Sequence, residues 1–147
     1  MVVEAKHMKK TTLILGAGLL LSVAHAQDFS ANVAFHAPTL GGSVGLTAKG
    51  LVAFDDLSVD ARLIGDITTK GFAVQADVLP NLYVTDDVNL YFGPSLGMGF
   101  SNGGASFLFG GVGGLAYPVT DAFDVFAEGK WNNLSGFGLR VGLSYYF

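Results

Sequence analysis

From residue 27 onward, apolar residues recur at every second position along most of the chain. This is the period of a β-strand whose two faces meet different surroundings, and not the 3.6-residue period of a helix. Residues that favour turns recur between the alternating stretches, and Pro80-Asn81 is predicted as one of these turns. The pattern therefore predicts eight strands, at 29–36, 43–54, 57–67, 71–79, 88–100, 105–117, 123–131 and 136–147.

Alternate positions in these strands separate into a large apolar face and a smaller polar face. The polar face carries a candidate charge network of four basic and four acidic residues: Lys49, Asp60, Arg62, Asp66, Asp77, Glu128, Lys130 and Arg140. These charges are too few and too balanced to make the surface of a water-soluble barrel. Turned inward, they can pair within a narrow lumen, and we expect Arg140 to pair with Glu128 on the adjacent strand or with a carboxylate across the lumen. An apolar exterior around a polar interior predicts a barrel that lies in lipid.

Closure of the sheet follows from the same environment. In hydrocarbon every backbone N–H and C=O must be paired internally, and a closed barrel achieves this without a free edge. Eight strands give a lumen that side chains can fill. After residue 26, no apolar run approaches the roughly 20 residues of a membrane-spanning helix. We therefore predict an all-β fold over residues 27–147: one eight-stranded antiparallel up-and-down transmembrane β-barrel domain.

The first 26 residues have the organisation of a helical secretory signal peptide. Basic residues precede an apolar run at 13–21, and the Ala-His-Ala segment at 24–26 fits the small-x-small cleavage pattern. We expect cleavage after Ala26. Met8 is an alternative start, which would make residues 1–7 an upstream extension. An uncleaved membrane anchor is the other interpretation, although the apolar run is short for a span.

Composition excludes several classes of function. Five basic and eleven acidic residues follow residue 26, a formal net charge of −6, which disfavours nucleic-acid binding. The sequence contains no cysteine, so disulfides and a lipid-modified cysteine are excluded.

Candidate catalytic or metal-binding residues are few. His36 is the one histidine after residue 26, and a histidine alone is not a catalytic triad, so we interpret it as a polar strand residue near the barrel mouth. Asp55-Asp56 and Asp86-Asp87 are interpreted as turn residues, with a calcium site as the alternative. We expect no enzyme activity, no cofactor and no metal.

Proline and glycine positions qualify the strand prediction. Pro94 lies mid-strand and has no N–H for the ladder, so a bulge or a different strand limit is expected there. The pairs Gly110-Gly111 and Gly113-Gly114 predict a weakly specified register for the sixth strand. No G-K-[ST] motif accompanies these glycines, so we interpret them as relief of crowding in a narrow barrel and not as a phosphate loop.

The signal-like segment, the eight alternating stretches, the aromatics near strand ends and a chain end at Phe147 together resemble one group of proteins. They are similar to the small eight-stranded outer-membrane barrels, the OmpA-like and OmpX-like group, over essentially all of residues 27–147. The resemblance implies a bacterial outer-membrane location, contact with lipid, and recognition of the last strand by the barrel-assembly machinery through Phe147. Full-length OmpA-like proteins carry a peptidoglycan-binding domain after the barrel, and we expect no such domain in this protein.

The loops bear on function. If both chain termini are periplasmic, as the resemblance implies, the loops at 37–42, 68–70, 101–104 and 132–135 face outward, and all are short. Short loops disfavour a large adhesive or receptor surface. Our leading hypothesis is a structural or envelope-integrity barrel with a side-chain-plugged lumen, and the oligomeric state stays open. The alternatives are a narrow transport or ligand-binding barrel, a lipid-modifying membrane enzyme, and a soluble secreted β-barrel or sandwich.

Overall fold

The computed structural model describes residues 28–54, 57–85 and 87–147. The predicted signal peptide with cleavage after Ala26, and the predictions for Asp55, Asp56 and Asp86, lie outside these residues. Within the described ranges, no helix is long and apolar enough to cross a bilayer.

Eight antiparallel strands form a closed barrel in sequential order, and the last strand pairs with the first. The strands are β1 (Asp28–Ala37), β2 (Gly41–Phe54), β3 (Leu57–Thr68), β4 (Gly71–Tyr83), β5 (Asn89–Ser101), β6 (Gly104–Pro118), β7 (Phe123–Asn132) and β8 (Gly136–Tyr146). The prediction of an eight-stranded up-and-down barrel is confirmed. The first described residue, Asp28, and the last residue, Phe147, lie at one end of the barrel, here called the terminus end. The hairpins β1–β2, β3–β4, β5–β6 and β7–β8 lie at the other end, here called the hairpin end.

Apolar side chains cover the outside of the barrel and polar side chains lie inside it. On β3, for example, Leu63 is 57 % exposed, whereas its neighbour Arg62 is 5 % exposed. Strands of 10 to 15 residues are long enough to cross a bilayer when tilted, which takes about 9–11 residues. The exterior therefore matches lipid and not water, which removes the soluble alternative.

Aromatic side chains concentrate near both ends of this apolar exterior. At the hairpin end, Phe72 and Phe100 stack with ring centroids 4.7 Å apart. At the terminus end, Phe123 and Tyr145 lie 5.1 Å apart. Two aromatic belts around an aliphatic middle are the arrangement that amphipathic rings adopt at the two interfaces of a membrane.

The predicted turn at Pro80-Asn81 is wrong. Strand β4 continues through Pro80, which pairs with Val59 of β3. Asn81 lies inside the barrel and donates from its side-chain nitrogen to the carbonyl oxygen of Leu79, at 2.7 Å. The proline is tolerated because the ladder between β4 and β5 is interrupted beside it, so its missing N–H falls where those strands are not paired.

The bulge expected at Pro94 is also wrong. The register between β4 and β5 is the same on both sides of the interruption, at Asp77–Ser95 and at Asn81–Tyr91. The other ladder of β5, to β6, continues through Pro94 without a shift. A local loss of pairing, and not an extra residue, accommodates this proline.

The register shift of the barrel lies in β2 instead, between Ala48 and Val52. Gly50 has a φ of 68° there, in the left-handed region that glycine adopts without strain. Its N–H donates to Asp60 Oδ1 at 2.9 Å, so a carboxylate of the facing strand holds the bulge closed. A glycine inside an alternating stretch was the available indication of this bulge, which the sequence analysis missed.

Strand β6 keeps one alignment with β5 and one with β7 along the whole paired length, and the weak specification expected from its glycine pairs stays a prediction. A Cβ built at Gly110 would lie 1.8 Å from the carbonyl oxygen of Trp131. The absence of a side chain at Gly110 therefore allows β7 to approach β6 closely.

Candidate functional site: the lumen

The lumen contains apolar as well as polar side chains. Its buried apolar residues are Ile64, Leu79, Tyr91, Leu108, Val112, Ala116 and Phe126. The alternation predicted only polar residues and glycines on the inward face, so this apolar set was not predicted. Strand parity was the indication that could have found it, since Leu79 follows the inward-facing Asp77 by two positions.

All eight members of the predicted charge network point into the lumen. Their side chains are largely buried, from 0 % exposed for Glu128 to 20 % for Lys49. The structure brings six of them into one connected cluster and leaves Lys49 and Asp60 as a separate pair. The cluster and the pair occupy different heights of the barrel.

The cluster begins with Arg62 on β3. Its Nη2 lies 2.7 Å from Oδ2 of Asp77 on the neighbouring strand β4. Its two terminal nitrogens each lie 3.0 Å from a carboxylate oxygen of Glu128 on β7, a bidentate pair. Strands β3 and β7 are four positions apart in a ring of eight, so this pair spans the lumen from wall to wall. Tyr91, which the sequence analysis did not name, donates its hydroxyl to Glu128 at 2.6 Å.

Arg140 on β8 extends the cluster toward the hairpin end. It donates to Glu128 on the adjacent strand, and its Nη2 lies 2.8 Å from Oδ1 of Asp66. Lys130 Nζ lies 2.6 Å from the other oxygen of Asp66. We call the six residues the ion-pair chain; in order of contact they are Asp77, Arg62, Glu128, Arg140, Asp66 and Lys130.

Charges alternate in sign along the ion-pair chain, with three carboxylates and three cations. Each interior member contacts two groups of opposite charge, which offsets the large cost of taking an ion out of water. Charge-assisted bonds of this geometry also restrict side-chain rotation, because moving one member breaks two pairs. The arrangement can hold side chains in fixed positions across the middle of the lumen.

The separate pair lies near the terminus end. Lys49 Nζ is 3.8 Å from Asp60 Oδ2 and donates to the Tyr146 hydroxyl at 3.0 Å. Tyr146 in turn donates to Asp124. A smaller cavity of about 40 Å³ lies beside these residues.

His36 lies on the inward face near the hairpin end, where the sequence analysis expected a polar residue at the barrel mouth. Its Nδ1 is 3.1 Å from the carbonyl oxygen of Thr39, and its Nε2 is 4.0 Å from Asp66 Oδ1. No group of three or more histidine, aspartate or glutamate side chains in the described ranges could hold a metal ion. A larger cavity of about 340 Å³ opens at this end of the barrel.

Comparison with known proteins agrees with the fold. No protein-family model and no curated protein sequence matches the chain. A structure described as a de novo designed transmembrane β-barrel matches with a TM-score of 0.62 at 14 % identity, covering 83 % of this chain and 97 % of that chain. The designed barrel TMB2.3 matches with a TM-score of 0.52 at 21 % identity, covering 80 % and 92 %. The outer membrane protein Ail of Yersinia pestis matches with a TM-score of 0.48 at 15 % identity, covering 82 % and 99 %.

Closure, strand number and an apolar exterior define the class of protein. The chain is an eight-stranded transmembrane β-barrel. Within that class, the distinguishing feature of this barrel is its lumen, where the ion-pair chain joins opposite walls.

Proposed function

We propose that the protein is an outer-membrane barrel with a structural role in the cell envelope, and that its side chains plug its lumen. The pair between Arg62 and Glu128 carries this proposal, because it joins opposite walls at a level where apolar side chains fill the remaining space. A solute or ion crossing the barrel would have to break it. Neither catalysis nor continuous transport is part of the proposed role.

Planar-bilayer recording of the purified full chain tests the plug. The unmodified barrel should give no steady single-channel current, and a sustained, ion-selective current would overturn the proposal in favour of a narrow transport barrel. The double variant Arg62→Ala/Glu128→Ala removes the wall-to-wall pair without changing the net charge. This variant should pass ions, and its current shows that the recording detects an opened lumen.

Export and location are part of the same proposal. Residues 1–26 serve as a signal peptide in it, and N-terminal mass spectrometry of membrane material should find a chain that begins at Gln27. The exposed apolar exterior requires a lipid surround, so detergent should be needed to release the protein from outer-membrane fractions. Release by carbonate alone would contradict the location.

The charge at the two ends supports an orientation with the hairpin end outward. The described hairpin loops at 38–40, 69–70, 102–103 and 133–135 carry no acidic residue, whereas the terminus end carries Asp87 and Asp121. An end without acidic side chains is better suited to an anionic outer leaflet. Because the sequence has no cysteine, an impermeant maleimide on intact cells should label Asn102→Cys and leave Thr120→Cys unlabelled; the reverse result would invert the orientation.

A further inference from the structure

The cavity at the hairpin end, here called the mouth cavity, has features that the plug does not require. Its volume of about 340 Å³ lies at the lower end of the range for small-molecule sites. Its lining includes His36, Asp66 and Lys130 on the side of the ion-pair chain, and Leu108 and Leu134 on another side. Polar groups on one side and apolar side chains on another fit a ligand that has both characters.

The charged groups of the mouth cavity favour an anion. Asp66 already accepts from Ser43 at 2.5 Å, from Gln75 at 2.8 Å, and from both Arg140 and Lys130. A carboxylate with so many donors has little to offer a cationic ligand. Lys130 has three N–H donors and gives one to Asp66, so it can donate further into the cavity.

His36 adds a second observation that is independent of the cavity's shape. The residue is 4 % exposed, and its Nε2 has no hydrogen-bond partner among the described residues. Since Thr39 offers a carbonyl oxygen, Nδ1 must be the donor in that contact, and Nε2 can donate only when the ring is protonated. A buried polar nitrogen without a partner is uncommon. An anionic group that binds together with one proton would convert the ring to an imidazolium and give its Nε2–H an acceptor.

The apolar side of the cavity is formed by side chains that face inward. Leu108 is 3 % exposed within the lumen. Leu134, from the β7–β8 loop, lies over Gly99, where a built Cβ would come within 2.9 Å of Leu134 Cδ1. An apolar loop residue folded over a glycine on the barrel's inner wall creates a surface for a hydrocarbon chain.

We propose that the mouth cavity binds a small carboxylate that carries an apolar tail. The head group lies at Lys130 and His36, and the tail lies along Leu108 and Leu134. The ion-pair chain forms the bottom of the site, so the ligand stays on the hairpin side of the barrel. Binding and a plugged lumen are separate properties. A barrel that conducts ions can still bind the carboxylate, and a barrel that does not conduct ions can fail to bind it.

Amide NMR spectra of the full barrel in lipid nanodiscs, titrated with hexanoate, test the proposal. Saturable shifts confined to the segments that line the cavity, at residues 36–39, 66–75, 99–108 and 130–138, are expected. Hexylamine and inorganic phosphate, which lack the acidic head and the tail respectively, should not reproduce them. Equal shifts with hexan-1-ol or hexylamine would overturn the anionic head group, and shifts with phosphate alone would overturn the tail. Shifts spread over the lipid-facing surface would show partition into lipid and overturn the site.

Variants separate the two parts of the site. Lys130→Met should weaken hexanoate binding about tenfold or more, as expected for loss of a charge-assisted bond. Leu134→Ser, in a surface loop, should weaken it about threefold to tenfold through loss of apolar contact. Lys49→Met, a lysine paired with an aspartate at the other end of the barrel, should change it less than twofold. If Lys130→Met does not fold, the hexanoate affinity of Leu134→Ser tests the proposal by itself. Unchanged affinity in that variant overturns the proposal.

Discussion

At the scale of single residues, Arg140 connects the two halves of the ion-pair chain. It contacts Glu128 on the adjacent strand and Asp66 across the lumen, and its side chain is 1 % exposed. Without it, Asp66 keeps Lys130 and Glu128 keeps Arg62, but the buried cluster gains an unbalanced negative charge. The energetic role of Arg140 is therefore to balance charge as well as to bridge.

Arg140→Met should lower the free energy of unfolding by about 3 kcal/mol, the low end of the range for breaking a buried pair, because both carboxylates keep one cation. The double variant Arg140→Met/Glu128→Gln leaves two complete pairs, Asp77 with Arg62 and Asp66 with Lys130. It should recover more than half of that loss. Urea unfolding in lipid vesicles measures both values.

Lys49→Met is the matched control for Arg140→Met. The pair between Lys49 and Asp60 is longer, at 3.8 Å, and the lysine is 20 % exposed, so its loss should cost about 1 kcal/mol or less. Equal losses from the two single variants, or a double variant less stable than Arg140→Met, would contradict the balance of charge in the ion-pair chain.

The inward or outward facing of single residues could be predicted from the sequence, and so could the pairing of Arg140 with Glu128 on the adjacent strand, but the partner of Arg62 could not. The alternation of apolar and polar positions along β3 predicts that Arg62 faces inward, because its neighbours at 61 and 63 are apolar. Its partner Glu128 is 66 positions away, and the contact exists only because eight strands bring β3 and β7 to opposite walls of a narrow lumen. Tyr91 was missed for a related reason, since an aromatic between Leu90 and Phe92 gives no sign that its hydroxyl ends at a carboxylate.

At the scale of elements, glycines allow neighbouring strands to approach inside a narrow barrel. On β6, Gly110 faces inward, and a built Cβ would lie 1.8 Å from the Trp131 carbonyl oxygen. Gly113 faces outward, and its nearest heavy atom would be 3.7 Å away, in Phe92. The two glycines lie on the same strand but differ in the space that each leaves for a side chain.

Gly110→Ala should therefore destabilise the barrel by about 1–3 kcal/mol, the cost of forcing an extra methyl into a packed interior. Gly113→Ala should change stability by less than about 0.5 kcal/mol, as for most surface substitutions away from special backbone. Unfolding titrations of the two variants make the comparison. Equal tolerance would mean that the inward glycines of β6 do not set the strand spacing.

The exterior of each strand depends on its depth in lipid. Val141, the sixth of the eleven residues of β8, and Ile67, one residue from the end of β3, are both exposed on the lipid face. Val141→Arg should cost about 2–4 kcal/mol near the bilayer midplane, and Ile67→Arg about 0–1 kcal/mol near the interface. Vesicle unfolding measures both, and equal costs would contradict the proposed position of the membrane.

Strand boundaries were predicted well where alternation and turns agree, and poorly where backbone chemistry decides. Pro80 was taken as a turn residue, yet β4 passes through it because β5 does not pair with it there. The bulge lies at Gly50, and Asp60 of the facing strand closes it. A ladder interruption and a side-chain bond from another strand are properties of the folded sheet, which a single alternating stretch does not encode.

At the scale of the whole molecule, closure of the barrel joins its first and last strands. Strand β8 pairs with β1, and the N–H of Phe147 donates to the carbonyl oxygen of Phe29 at 3.1 Å. The Phe147 ring lies 6.3 Å from Tyr145 and 6.5 Å from Phe29, in the aromatic belt of the terminus end. The last residue therefore belongs to the seam that closes the barrel, in addition to any role during assembly.

Phe147→Ala should reduce the amount of folded barrel in the outer membrane severalfold, because the proposed recognition by the assembly machinery uses the terminal aromatic. Phe137→Ala is the matched control: Phe147 and Phe137 are both highly exposed, at 66 % and 64 %, and Phe137 is the second residue of β8, the strand that Phe147 directly follows, at the other aromatic belt. Each variant loses one ring from lipid contact, so an effect of lost lipid contact alone should be similar in both.

Two measurements separate assembly from stability. Heat-modifiable mobility on gels after outer-membrane fractionation measures the folded yield, and refolding of the purified chains into vesicles measures stability without the assembly machinery. A yield defect confined to Phe147→Ala in cells, with comparable refolding of both variants in vesicles, is the expected result. Equal yields in cells would contradict terminal recognition, and a defect of Phe147→Ala in vesicles as well would assign the residue to closing the seam.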